Sequence, residues 1–155
     1  MKTIDALLEE HSFFKGMSPA YLELIAGCAR NAHFEPGAYL CREGAEAQEF
    51  FAIRQGKVAL ELYSPEGGLV VLQTVGAGEV LGWSWIFPPY KWMFDVRAVD
   101  ATRTVLFDGL CLRTKCEQDP VMGYDFMKRF AMVAARRLEV ARLQLLDVYG
   151  TTTRR

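Results

Sequence analysis

Histidine is scarce in this chain, and the scarcity already excludes chemistry. There are two, His11 and His33, 22 positions apart. The four cysteines, Cys28, Cys41, Cys111 and Cys116, form no Cys-x-x-Cys pair. The spacings that build zinc sites are therefore absent, and no metal is expected. No Gly-x-Ser-x-Gly and no paired base and nucleophile occur. The sequence is not that of an enzyme. Long apolar runs are missing as well. Val80 to Tyr90 is 11 residues and contains Pro88 and Pro89, whereas a spanning helix needs about 20. No membrane role is expected. The N-terminus carries Asp5, Glu9 and Glu10 and does not read as an export leader. A cytoplasmic protein with reduced thiols follows, each cysteine packing as a small hydrophobe. Net charge is almost absent too: −1 gives no overall pull toward nucleic acid.

What is present is a globular composition. The 155 residues are 51% hydrophobic and 24% charged, enough for one domain with its own core. Residues 1–31 read as helical. Ile4, Leu7, Leu8 and His11 lie three or four apart, Gly16 interrupts, and Ser18-Pro19 starts a second helix running to about Arg30. From 32 to 108 short β-branched and aromatic runs alternate with glycine. Phe50–Ile53, Val58–Tyr63, Leu69–Val75, Phe94–Val99 and Thr102–Phe107 are the strand candidates. Gly56 and the segment Ser64 to Gly68 read as hairpin turns. This texture predicts a mainly β domain, a sandwich, jelly roll or barrel. Residues 109–149 turn helical again: a short helix begins near Asp108, and Asp119-Pro120 starts a long one, with Gly150 as the stop and 150–155 as a frayed tail.

The long helix carries the clearest period. Tyr124, Met127, Ala131, Ala134, Leu138, Ala141, Leu145 and Val148 recur in steps of three and four, and all are apolar. That is a coiled-coil seam, and it predicts a homodimer. A second row with Phe126, Phe130, Val133 and Val140 would face the parent domain. Arg137 and Arg142 fall at flanking positions that would repel across a parallel pair. Charge is uneven along the chain: the first 77 residues carry 6 basic and 10 acidic residues, the rest 12 and 9. The basic side chains of the long helix read first as a solvated face, and otherwise as a surface for an anionic partner or ligand.

Helices, a glycine-punctuated β segment, a short helix and a long one together resemble the cyclic-nucleotide-binding domain of the catabolite activator and fumarate–nitrate regulator family. Phe34-x-x-Gly37 and Gly44 match early positions. Phe50-Phe51-Ala52-Ile53-Arg54-Gln55-Gly56-Lys57-Val58 matches a hairpin, Gly78-Glu79-Val80-Leu81-Gly82 the opening of the phosphate-binding cassette, and Val96-Arg97-Ala98 the strand that leaves it. The resemblance implies a β-roll of the jelly-roll type, with N-terminal helices and a C-terminal dimer helix. It also implies a cassette in which a glycine turn into a short helix offers N–H groups to a cyclic phosphate. An arginine there forks onto the phosphate, and a glutamate receives the ribose.

This chain departs from the pattern at those points. Trp83 stands at the glutamate position, Trp92 at the arginine and Met93 at the small polar residue that follows. Lys91 is a cation one place away, without arginine's fork. The candidate ligand-binding residues are Gly82, Trp83, Ser84, Trp85, Tyr90, Lys91, Trp92 and Met93. The three tryptophans either line a pocket for a small apolar or aromatic ligand or fill the nucleotide's space themselves. A cyclic nucleotide held by backbone contacts alone is a third reading. For haem, the early roll offers only His33 and Cys41, and His33 reads first as an exposed or capping residue. The chain ends five residues after Gly150, with no room for the helix-turn-helix of the family's transcription factors, so no direct contact with nucleic acid is expected. The expected function is a stand-alone regulatory sensor or interaction domain, read by a protein partner. A ligand-free dimeric scaffold and a retained cyclic-nucleotide regulator are the alternatives.

Overall fold

The computed structural model describes residues 1–152. Two helices, α1 (Ile4–Glu10) and α2 (Pro19–Ala26), flank a 3₁₀ turn at Ser12–Phe14. Eight strands follow: β1 (Ala29–Phe34), β2 (Tyr39–Cys41), β3 (Glu49–Gln55), β4 (Lys57–Ser64), β5 (Gly68–Gly76), β6 (Val80–Leu81), β7 (Asp95–Ala98) and β8 (Thr102–Asp108). Helices α3 (Gly109–Gln118) and α4 (Pro120–Thr152) complete the described chain. The strands form two antiparallel sheets, ordered β1-β8-β3-β6 and β2-β7-β4-β5. This is the expected β-roll with flanking helices.

Strand β3 explains the layering. Its run Phe50–Ile53 is buried on both faces, so it reads as continuously apolar rather than alternating. Phe50 and Ala52 point into a helix-side core with Phe14, Phe107, Phe126 and Phe130. Phe51 and Ile53 point into the roll interior with Val58, Leu60, Leu81 and Val96. The helix-side core is aromatic: Phe50 stacks on Phe107 at 4.8 Å and meets Phe130 edge-on at 5.0 Å. At the β3–β4 turn, Gly56 has φ +96°, and a Cβ there would lie 2.5 Å from the Ala101 carbonyl oxygen. No other residue fits that turn.

Several expectations are corrected. The roll starts at Ala29 rather than 32, and α2 ends at Ala26. Cys28 and Cys111 form a disulfide across 83 positions, with Cα atoms 5.7 Å apart; neighbouring ends of α2 and α3 bring them together, and no spacing rule signals it. Cys41 and Cys116 remain free thiols. Gly150 does not stop α4, which runs through it to Thr152. A glycine ends a helix by turning left-handed; inside one it merely weakens it. Residues 153–155 of the expected tail lie outside the described residues. Both helix starts hold: Asp108 caps α3 by accepting from the Cys111 N–H at 2.7 Å, and Asp119 accepts from the Met122 N–H at 3.1 Å. No helix among the described residues is long and apolar enough to cross a membrane.

Candidate ligand-binding cassette

Gly82 opens the cassette in the left-handed region, φ +99°. Beyond it residues 83–94 contain turns but no helix. The turns close through Ile86 N–H to Trp83 O at 3.0 Å and Tyr90 N–H to Phe87 O at 3.2 Å. The second turn is centred on Pro88-Pro89, joined by a cis bond. Prolines carry no N–H. The row of donors that the resemblance implied for an anion is therefore not built.

The three tryptophans do not share one cavity. Trp85 is 1% exposed and lies in the helix-side core, 5.7 Å from Phe130, with its indole N–H donating to Gly82 O at 2.8 Å. Trp92 is 5% exposed and lies in the roll interior, against Phe51 and Phe94. Trp83 is half-buried beneath Arg137, whose guanidinium carbon is 5.3 Å from the ring centroid. Ser84 is buried, while Lys91 and Met93 are exposed. Half-buried Tyr90 carries the Arg113 guanidinium over its ring at 4.3 Å, and Arg113 also donates to Trp85 O at 2.6 Å. The candidate set is thus divided between two cores and the surface rather than gathered round one opening.

Trp92 takes the central place. A Cβ on Gly82 would lie 2.8 Å from Trp92 Cη2 and 3.1 Å from Glu49 O. The indole sits directly on the cassette glycine. Backbone bonds fix it there, Trp92 N–H to Ala45 O at 2.9 Å and Gly44 N–H to Trp92 O at 2.8 Å. Lys91 bridges to Glu46 in the same short ladder. Arg97 is committed elsewhere, forking onto the fully buried Glu61 at 2.8 and 3.2 Å.

Sequence reasoning missed the part played by Arg137. Expected to face a partner helix, it turns onto its own domain. It donates to the Val80 carbonyl oxygen, and its own carbonyl accepts from Gln73 Nε2 at 3.2 Å. Nη1 is buried without a partner among the described residues. Burial pulls its pKa down, with Glu79 opposing the shift. His11 is buried and satisfied: Nδ1 accepts from the Phe13 N–H at 3.2 Å, so Nε2–H donates to Ile53 O at 2.9 Å. His33 is half exposed, 3.6 Å from Glu35. Cys41 packs against the roll core, and burial pushes its thiol pKa up strongly. No cluster of metal-ligating side chains occurs among the described residues.

The seam residues divide. Met127 packs on the helix-side core and Ala141 is half-buried, while Tyr124, Ala131, Ala134, Leu138, Leu145 and Val148 are exposed. Of the second row, Phe126 and Phe130 are buried and Val133 partly so, but Val140 is exposed, on the groove between α4 and β5.

Comparison with known proteins agrees with this fold. The family profile of the cyclic nucleotide-binding domain matches residues 31–119. A CRP-like cAMP-activated global transcriptional regulator of Mycobacterium tuberculosis is 24% identical over 96% of this chain and 64% of its own length. A cyclic nucleotide-gated cation channel protein of Drosophila melanogaster is 32% identical over 48% of this chain and 11% of its own. The chain thus spans only part of each. Among solved structures, a cyclic nucleotide-binding domain from Methylobacillus flagellatus superposes with TM-score 0.79 at 16% identity, covering 94% of this chain and 82% of that one. The catabolite activator protein of Thermus thermophilus gives 0.69 at 22%, covering 90% and 63%. At such identities the two structures speak for the fold alone.

Proposed function

The chain belongs to the cyclic nucleotide-binding domain family, and from that premise we propose that it is a regulatory domain whose own cassette is closed to cyclic nucleotides, acting on a protein partner as a dimer through α4. One observation carries this reading: the Trp92 indole rests on Gly82, in the roll interior. Two further features support it. The cassette segment has no helix and contains two residues without N–H. Neither Trp83 nor Trp92 brings a positive charge to a phosphate or can accept from a ribose hydroxyl, and a buried phosphate without a cation is costly. The matching family is a cyclic nucleotide-binding one and a curated relative is a transcriptional regulator, so the domain is read as regulatory rather than enzymatic. The dimer is supported by α4 itself. Its 33 residues span about 50 Å, and Leu138, Leu145 and Val148 stand exposed on the part that leaves the domain. Such a row needs cover. Cytoplasmic placement is part of the proposal, with the Cys28–Cys111 bond an exception to the thiols that cytosolic conditions keep reduced.

Native mass spectrometry with and without cyclic AMP and cyclic GMP tests the proposal. The expected result is a dimer whose mass ignores both nucleotides. One nucleotide bound per chain at micromolar concentration would overturn the closed cassette, and a monomer would overturn the dimer.

A further inference from the structure

A groove of about 690 Å³ lies outside the roll, between the 3₁₀ turn, the β5–β6 turn and α4. Phe13, Met132 and Val133 give it an apolar side. Lys15, Lys128 and Arg136 are exposed cations on it. Its other charges are largely paired off. Arg129 meets Asp125 at 3.2 Å and donates to Phe13 O and Lys15 O. Glu79 accepts from the Gly76 N–H at 3.0 Å. Arg137 also lines the groove, and its Nη1 is a buried donor with no acceptor among the described residues. Buried donors are rarely left so. The groove therefore combines an apolar body, surplus positive charge and an unanswered guanidinium nitrogen.

We propose that this groove is an effector site for a small organic anion, an apolar body bearing one carboxylate, sulfonate or phosphate. The head would complete the hydrogen bonding of Arg137 beside Arg136, the body would cover Phe13 and Met132, and Lys128 would add positive charge further along the groove. A volume near 690 Å³ is that of ordinary small-molecule sites. The position gives such a ligand an output. Arg137 now holds the Val80 carbonyl and covers Trp83, so an anion that turns the guanidinium changes how α4 grips the cassette. At about 100° per residue, Met132 and Arg136 lie on one flank of the packed row Phe126–Phe130–Val133, and Leu138 lies on the other. A partner helix on the Leu138 side leaves the groove open. The proposal stands whether or not the cassette binds nucleotide.

Calorimetric titration of the full chain with dodecanoate and with 1-anilinonaphthalene-8-sulfonate tests it. Each should bind once per chain, more weakly as salt rises, and dodecanol should not compete. Lys128→Glu with Arg136→Glu, two exposed positions, should weaken both by roughly tenfold or more without changing the circular dichroism. Should that double variant fold poorly, Lys15→Glu serves as a milder second, with a smaller loss. Arg103→Glu, an exposed position that does not line the groove, should leave both affinities unchanged. No saturable binding, equal binding by dodecanol, or affinities indifferent to the charge reversals would each overturn the proposal.

Discussion

Trp92 stands on Gly82: the tip of its indole would be 2.8 Å from any Cβ placed on that glycine. The pair fixes what the cassette can hold. Glycine there has φ +99°, a conformation that side chains resist, and the indole uses the bare backbone that results. Trp92→Ala should cost about 3–5 kcal/mol, the usual range for deleting a large buried aromatic. It should also leave an apolar cavity that indole refills. Urea unfolding with and without saturating indole checks both. A variant as stable as the wild type would mean that Trp92 does not fill the roll.

The Cys28–Cys111 bond ties the start of the roll to α3, the helix that leads into α4. A closed loop of 83 residues is worth about 4–5 kcal/mol in the chain-entropy view. Reduction should therefore lower the melting temperature clearly, and Cys28→Ser should abolish the difference between reduced and oxidised samples. Cys41 and Cys116 should alkylate slowly before reduction, since burial pushes both thiol pKa values up. Rapid iodoacetamide labelling of two thiols in the untreated protein would contradict this.

Much of the fold was legible in the sequence because its signals are local. Gly56 and the Ser64–Gly68 turn punctuate strands long enough to show their burial. The three missed strands fail that condition. β1 reads Ala-Arg-Asn-Ala-His-Phe, with no fully buried residue, and β2 and β6 have only three and two residues. The site was less legible. The cassette's place could be read, but not that Trp85 and Trp92 enter opposite sides of the β3 sheet, because that depends on how the turns around Pro88 and Pro89 run. Arg137 could not be read at all. Its target is a carbonyl 57 positions away, and a side chain's choice between a partner and its own domain leaves no pattern in spacing.

His11 links stability to pH. Burial holds its pKa below the ordinary value, and the neutral ring is the form that accepts from Phe13 and donates to Ile53. The folded state therefore binds its proton later than the unfolded chain. Its contribution is full above the unfolded pKa, about 6.5, and is lost as pH falls through the depressed folded value. The urea midpoint should drop between pH 7.5 and pH 5. In His11→Asn, whose amide can also accept and donate, that drop should shrink. An identical drop in the variant would assign it to other groups.

The proposed dimer rests on the outer half of α4. Leu138 is 71% exposed and sits where the seam leaves the parent core; Arg137, one residue before it, is held on its own domain by Val80 and Trp83. Arg142 pairs with Glu139 at 3.0 Å. Of the two arginines that the sequence set against each other across a parallel dimer, Arg137 is thus turned onto its own domain and Arg142 is partly offset by Glu139, which weakens the objection to that arrangement. Leu138→Arg returns a cation to the seam itself and should halve the mass seen in light scattering. Because the side chain is exposed in the single chain, the melting temperature of the resulting monomer should fall only by what the interface contributed. An unchanged mass would move the interface off this seam, and the exposed leucines on the far side of the helix, Leu143 and Leu146, would be the next positions to reverse.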